Sequence, residues 1–162
     1  MSNATDVIDK IKSFCGDKII EQHEFRGDLT FTIPKAGILE FFKFLRDDPA
    51  LEFNFLMDIT AVDYLRKKPQ RFEVVYHFYS LKYNRRLRIK LPVGMDDSAV
   101  DSVIPLWKTA NWFEREIWDL YGIKFNGHPN LRRILLYEGF KGHPLRKDYP
   151  INKRQPLIGP LN

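Results

Sequence analysis

Glu114 and Glu116 stand two residues apart in "WFEREIWDLYGIKFNGHPNLRRIL", residues 112–135. Paired carboxylates can divide acid and base work when their environments differ. The spacing argues against that here, because on a helix residues two apart point roughly 200° away from each other. Glu114 and Glu116 are read instead as charged interface residues around an aromatic anchor, Trp118, with helix capping and solvated charge as the plain alternative. Trp and Arg are frequent energetic anchors at interfaces, and a core tryptophan is the equal alternative. Arg115 and Asp119, four apart, are placed to pair. His128 and His143 sit in a near-repeat, "NGHPNLRR" and "KGHPLRK". Imidazoles can bind zinc, but a site needs three or four ligands and no cysteine lies near. Backbone hydrogen bonds around two Gly-His-Pro turns are the expected use. Arg132, Arg133, Arg146 and Lys147 follow these turns and are expected to point outward.

Other chemistry is absent from the sequence pattern. There is no Gly-x-Gly-x-x-Gly, no Walker-type Gly-Lys-Ser/Thr and no Gly-x-Ser-x-Gly elbow. Cys15 is the one cysteine, which excludes an internal disulfide and a four-cysteine iron–sulfur cluster ligated within the chain. No catalytic, cofactor-binding or metal residue is assigned. The net charge of +5 is unevenly spread: Met1–Gly127 carries 19 basic and 19 acidic residues, and His128–Asn162 carries 7 and 2. Such a basic end fits an acidic protein surface, nucleic acid or anionic lipid. "RRLRIK", with Arg86, Arg88 and Lys90, could form a strand surface for RNA, but acids balance it over that region.

The elements that position these residues read as an α+β fold: a single domain with a mostly antiparallel sheet and flanking helices, then an extended C-terminal tail. Apolar residues at 44% and aromatics at 14% exclude wholesale disorder. No apolar run is long enough to span a membrane, and the first residues carry no signal-peptide pattern. Helices are predicted over about 4–14, 35–46 and 112–121. "KIIEQHEF" and "DLTFTI" form a hairpin about "RGD"; "LEFNFLMDITAVDYL", "RFEVVYHFYS" and "RRLRIKLPV" supply further strands. "DDSAVDSVIPLWKTA" is predicted as a short helix broken near Pro105, and "RRILLY" as a short strand. "NWFE" has capping-box spacing, with Asn111 as cap and Glu114 reaching back. Gly122 closes that helix, whose core face is Phe113, Ile117, Leu120 and Tyr121. The boundary falls at 127: residues 1–127 form the domain, and 128–162 a Gly/Pro-rich basic extension. The last part is too poor in apolar residues to bury much against its own domain, so it is ordered by a partner or not at all.

"ERE" at Glu114–Glu116, "IWDLYGIKFNGHPNLRRIL" after it, "GFKGHPLRKDYP" at 139–150, and upstream "LMDITAVDY" and "RFEVVYHFYSL" together resemble the 30-kDa subunit family of respiratory complex I, which in bacteria is the C-type subunit of NADH–quinone oxidoreductase. The resemblance covers nearly the whole chain. Lys141 stands where the family pattern has an acidic residue, and the stretch after Pro150 is less typical. The resemblance implies a cofactor-free, non-catalytic structural and assembly subunit of the peripheral arm. Flavin, iron–sulfur clusters and NADH would belong to partner subunits. The chain would pack on the 49-kDa-type subunit and other peripheral-arm subunits, with its C-terminal segment as a strap. The membrane would be reached indirectly, at the cytoplasmic side of the cell inner membrane. The whole complex would carry electrons from NADH to a quinone and translocate protons. The expected partner interface comprises Glu114, Arg115, Glu116, Trp118, Asp119, His128, Arg132, Arg133, His143, Arg146, Lys147, Asp148 and Tyr149. Two alternatives stay open: the equivalent subunit of a membrane-bound hydrogenase or a non-NADH complex I-like enzyme, and a basic nucleic-acid-binding module.

Overall fold

A computed structural model describes residues 4–156 of the chain. Helix α1 (Ala4–Cys15) and a 3-10 turn lead into the hairpin β1 (Glu21–Phe25) and β2 (Asp28–Thr32). Its two-residue turn places Arg26 and Gly27 at positive φ, which matches the right-handed twist of the paired strands. Helix α2 (Ile38–Asp47) follows, then the long strands β3 (Phe55–Asp63), β4 (Phe72–Ser80) and β5 (Arg85–Val93). Short β6 (Ala99–Asp101), helix α3 (Ala110–Tyr121) and short β7 (Lys124–Asn126) complete the regular structure.

The main sheet has the order β1-β2-β5-β4-β3. Every pair is antiparallel except β2 with β5, whose parallel register sets Leu29 against Leu87 and Phe31 against Ile89. Strand alternation divides the residues between two faces. Leu29, Phe31, Val74, Tyr76, Phe78, Leu87 and Ile89 are buried in one core with Val7 and Ile11 of α1 and Phe41, Phe42 and Leu45 of α2. The opposite face carries a cross-strand row of His23, Thr30, Arg88, His77 and Asp58. The α+β reading with a largely antiparallel sheet holds.

Three local expectations are corrected. Residues 35–37 lie outside α2, because Gly37 sits in the left-handed region just before Ile38 and the helix starts after it. The predicted helix after "GMDD" is instead β6, which pairs in parallel with β7 and buries Val100. There the β-branched Val100 gains a ladder partner, Phe125, that a local helix would not supply. "RRILLY" forms no strand, for a reason that lies in the site itself.

Candidate functional site

Helix α3 organises the C-terminal half of the chain. An α-helix leaves its last four carbonyls without partners. Here Gly122 N–H donates to the Trp118 carbonyl (2.9 Å), with Gly122 at φ +75° as the sequence reading requires. The segment "GHPLR" satisfies the other three. His143 Nδ1 lies 2.9 Å from the Asp119 carbonyl, Leu145 N–H donates to Leu120 O (3.1 Å), and Arg146 Nε donates to Tyr121 O (2.5 Å). The second Gly-His-Pro turn is thus a helix cap, and the Arg146 cation sits at the negative end of the helix dipole. The fit is close: a Cβ on Gly122 would stand 2.6 Å from both His143 Nε2 and Arg146 Nη2. The first turn engages the other end of the helix, with His128 Nε2 3.2 Å from Asn111 O and His128 Nδ1 accepting from Asn130 N–H (3.0 Å). Both histidines therefore serve backbone, as expected for them. Burial lowers the pKa of His143, and the nearby Arg146 and Arg133 lower it further, against the hydrogen bond to the Asp119 carbonyl.

Asp119 is the second organiser. Its side chain is fully buried, and Oδ2 accepts from three successive backbone N–H groups, Ile134 (3.1 Å), Leu135 (3.0 Å) and Leu136 (2.9 Å). Arg133 Nη1 donates to Oδ1 (2.5 Å). Three successive N–H groups can converge on one oxygen only from a curled backbone, whereas a strand directs them alternately to its two edges, so the carboxylate holds "RRILLY" out of a strand. Burial opposes the ionised form of Asp119, but the backbone donors and Arg133 outweigh it and hold the pKa below the usual carboxylate range.

A third clamp ties the tail to the sheet. Arg71 donates to both oxygens of buried Asp63 (3.1 and 2.8 Å) and to both oxygens of Asp148 (2.9 and 2.7 Å). Lys147 N–H donates to Asp63 Oδ2 (2.8 Å). Burial again opposes the Asp63 carboxylate, and Arg71 with the Lys147 and Leu65 N–H groups lowers its pKa despite it. The two carboxylates hold the Arg71 guanidinium firmly protonated. Arg146 lies over the Phe72 ring (5.4 Å), and Tyr149 stacks on Phe140 (6.1 Å).

These contacts revise the role of several expected interface residues. Glu114 is fully buried, with Oε1 accepting from Val103 N–H (2.7 Å); the capping box does not form, since Thr109 precedes the helix and offers no side-chain bond. Burial pushes its pKa up to about 7, against hydrogen bonds from Ser102 and Val103. Arg115 does not pair with Asp119; it donates to the carbonyls of Arg132 (3.1 Å) and Arg133 (2.9 Å). Arg133 and Arg146 point inward, because buried carbonyls and the Asp119 carboxylate offer stronger partners than water. Arg133 also lies over Trp118 (5.8 Å), which is half-buried. The expectation that the last part, from Leu145 on, buries little against its own domain gives way at Arg146–Tyr149, which grip α3 and the sheet, while residues 150–154 are exposed. Glu116, Arg132 and Lys147 remain exposed, with Asp148 exposed beside Arg71 and Tyr149 half-buried. The helical face expected in the core is only partly so: Ile117 is buried, while Phe113, Leu120 and Tyr121 are half-buried.

Sequence reasoning missed Asp63 and Arg71, whose tail partners lie 84 and 77 residues away. It also missed the exposed apolar residues Trp112, Leu135 and Leu145, whereas Ile151, which the sequence spaces with "YP" and "PLIGPL" like the anchors of an extended strap, is fully exposed. The apolar anchors expected in "PLIGPL" lie from residue 157 onward outside the described residues. Among the described residues there is no group of three or more His, Cys, Asp or Glu placed to hold a metal ion, and no helix is long and apolar enough to cross a membrane.

Residues 31–155 match the family described as "Respiratory-chain NADH dehydrogenase, 30 Kd subunit". The chain is 45% identical to the C-type subunit of the NADH-quinone oxidoreductase of Citrifermentans bemidjiense, with all of both chains covered. It is 49% identical to the second C-type subunit of the NADH-quinone oxidoreductase of Rhizobium etli, over 90% of this chain and 77% of that one. Among solved structures, a trypsin-resistant fragment (1–134) of Nqo5 superposes with a TM-score of 0.68 at 32% identity, covering 78% of this chain and 98% of the fragment. A chain of the membrane-bound sulfane sulfur reductase, an archaeal respiratory membrane complex, gives a TM-score of 0.77 over 93% of this chain and 88% of its own; at 21% identity that likeness shows the fold alone. The matched span runs from β2 through α3 and its two Gly-His-Pro turns to the clamp at Asp148, and the chain belongs to the 30-kDa subunit family of respiratory-chain NADH dehydrogenase.

Proposed function

We propose that this chain is the 30-kDa-type subunit of a proton-translocating NADH–quinone oxidoreductase, a structural and assembly element of its peripheral arm without a catalytic role of its own. It docks on the 49-kDa-type subunit through the outer side of residues 128–156 and the exposed rim of α3. Flavin, iron–sulfur clusters and NADH belong to other subunits. Contact with the cytoplasmic side of the inner membrane runs through the complex. The observation that carries the docking site is the orientation of this end of the molecule. Arg133, Arg146 and Asp119 turn inward and fix the backbone, while Leu135 (62% exposed), Leu145 and Ile151 face outward beside Arg132 and Lys147. A rigid rim of apolar residues with two exposed cations is the anatomy of a protein interface. Fixing the loops beforehand also lowers the ordering cost of association.

The test is Leu135→Asp in the whole complex, with native-gel content measured beside NADH–quinone turnover per assembled complex. Complex content should fall several-fold while turnover per complex stays near the unsubstituted value. Normal content with lost turnover would assign the rim a catalytic or gating role instead. Co-purification without any NADH-binding flavoprotein would move the chain to a complex with another electron donor. The surface of the nucleic-acid alternative is interrupted: Arg88 bonds Thr30 (3.2 Å) and lies 3.9 Å from Asp28, and Lys90 lies 3.4 Å from Glu73, which leaves Arg86 as the exposed cation of the three.

A further inference from the structure

The sheet end opposite the clamp is a second built surface. β3 and β4 are antiparallel, so Phe55 and Ser80 mark one end and Asp63 and Phe72 the other. Eight residue steps of strand separate the ends, about 26 Å. The β1–β2 turn and the start of β5 meet at the Phe55 end, because β2 and β5 run in parallel. Phe25 is 62% exposed and Phe55 47% exposed there. Arg26 lies over the Phe25 ring (5.1 Å) and Arg85 over the Tyr83 ring (5.2 Å). A cavity of about 270 Å³ opens between Arg85, Arg86, Asn84 and Tyr79, with Asp28, Leu29 and Phe53 also on its wall.

The charges at this end are not balanced. Lys82 pairs with Glu52, and Asp28 lies 3.9 Å from Arg88. Among the described residues, Arg26, Arg85 and Arg86 have no carboxylate within ion-pair distance. Arg85 Nη1 is moreover shielded from solvent and has no hydrogen-bond acceptor among the described residues. Arginine charge left without a carboxylate favours an incoming one, which the exposed Arg86 guanidinium on the cavity wall can grip with two N–H groups. Aromatic rings with arginine are the composition enriched at interface centres.

We propose that this end docks an acidic segment of another protein, with one carboxylate entering the cavity against Arg85 and Arg86 and apolar neighbours resting on Phe25 and Phe55. A nucleic acid fits less well. Its phosphates need a continuous track of cations, and here Asp28, Glu52 and Asp58 interrupt any such track. The surface is independent of the partner held at the C-terminal rim, which lies at the other end of the sheet.

The test uses the intact complex in native membranes. A photoreactive benzoylphenylalanine replaces Leu81, exposed in the β4–β5 turn, and the crosslinked species is mapped by mass spectrometry. The expected result is a crosslink to a polypeptide segment bearing Asp or Glu, with its yield reduced at least five-fold by Arg85→Glu and retained by Arg85→Lys. If Arg85→Glu perturbs the fold, Arg86→Glu is the deciding variant, since that side chain is exposed. A crosslink to lipid or RNA, no crosslink, or a yield unchanged by charge reversal overturns the proposal.

Discussion

Replacing Glu114 with Gln should change how stability depends on pH. In the unfolded chain this carboxyl titrates near the ordinary 4.5, and in the fold burial raises it to about 7. Between those values the folded chain holds a proton that the unfolded chain has released. Raising the pH through this window therefore drains stability, and above 7 the loss is complete. An interval of about 2.5 pH units at 1.36 kcal/mol each amounts to about 3 kcal/mol, as an order of magnitude. Gln keeps an acceptor for Val103 N–H and cannot ionise, so the variant lacks this slope. His77 and His143, both lowered by burial, act in the opposite direction, with stability falling as the pH drops below their ordinary 6.5. The raw curve mixes these contributions, but the difference between Glu114→Gln and the unsubstituted chain isolates Glu114. Urea titrations from pH 4.5 to 8 should show the variant gaining about 3 kcal/mol relative to the parent. Parallel curves would refute the reasoning, because they would mean that Glu114 titrates alike in both states.

Gly122→Ala should destabilise the chain by about 1 to 3 kcal/mol in denaturant unfolding, since φ is positive there and the new Cβ would meet His143 and Arg146. Asp119→Asn removes the charge partner of Arg133 and should cost about 3 kcal/mol near neutral pH. Because the pKa of Asp119 is lowered in the fold, its contribution is present above the ordinary 3.8 and lost as the pH falls through the lower folded value, so the same variant should flatten the acid end of a stability profile. Arg71→Met should cost about 3 kcal/mol by leaving Asp63 buried without its cation, whereas Asp148→Asn, at a half-exposed carboxylate, should cost under about 1 kcal/mol. Limited proteolysis should still cut more readily near residue 148 in both, which would distinguish release of the tail from global unfolding.

The parts of the fold visible in the sequence were those with local signals. β4 and β5 alternate or run apolar over nine residues each, and α3 has its apolar spacing and closing glycine. Gly122, Gly127 and Gly142 all adopt the positive φ expected around the turns. Local rules failed where a distant group decided the outcome. "DSAVDSV" offers helical spacing, but β7, some 25 residues on, supplies a ladder. Glu114 matches a capping box in spacing, yet the helix starts one residue before Asn111 and its carboxylate meets the Val103 N–H. The basic residues after each turn were indistinguishable in sequence. Arg132 and Lys147 stay in solvent while Arg133 and Arg146 turn in, and only the positions of Asp119 and the α3 carbonyls separate them. The identity of the family was legible because α3 and the two Gly-His-Pro turns that follow it form one nearly continuous stretch of sequence.

The clamp at Asp63 also imposes an order in time. Lys147 reaches back 84 residues to Asp63, and Asp148 reaches back 77 to Arg71. During synthesis the β3–β4 hairpin emerges first, then α3, and the segment that grips both comes last. Closing so long a loop carries an entropic cost that only a preformed hairpin and helix can offset. The backbone around Leu135 is held by Asp119, and that around Leu145 by the end of α3, so the outward rim exists only on a chain that has finished folding. A truncated or misfolded copy would present loose, charged loops in its place. On the docking proposed above, a partner would meet this rim only on a folded chain.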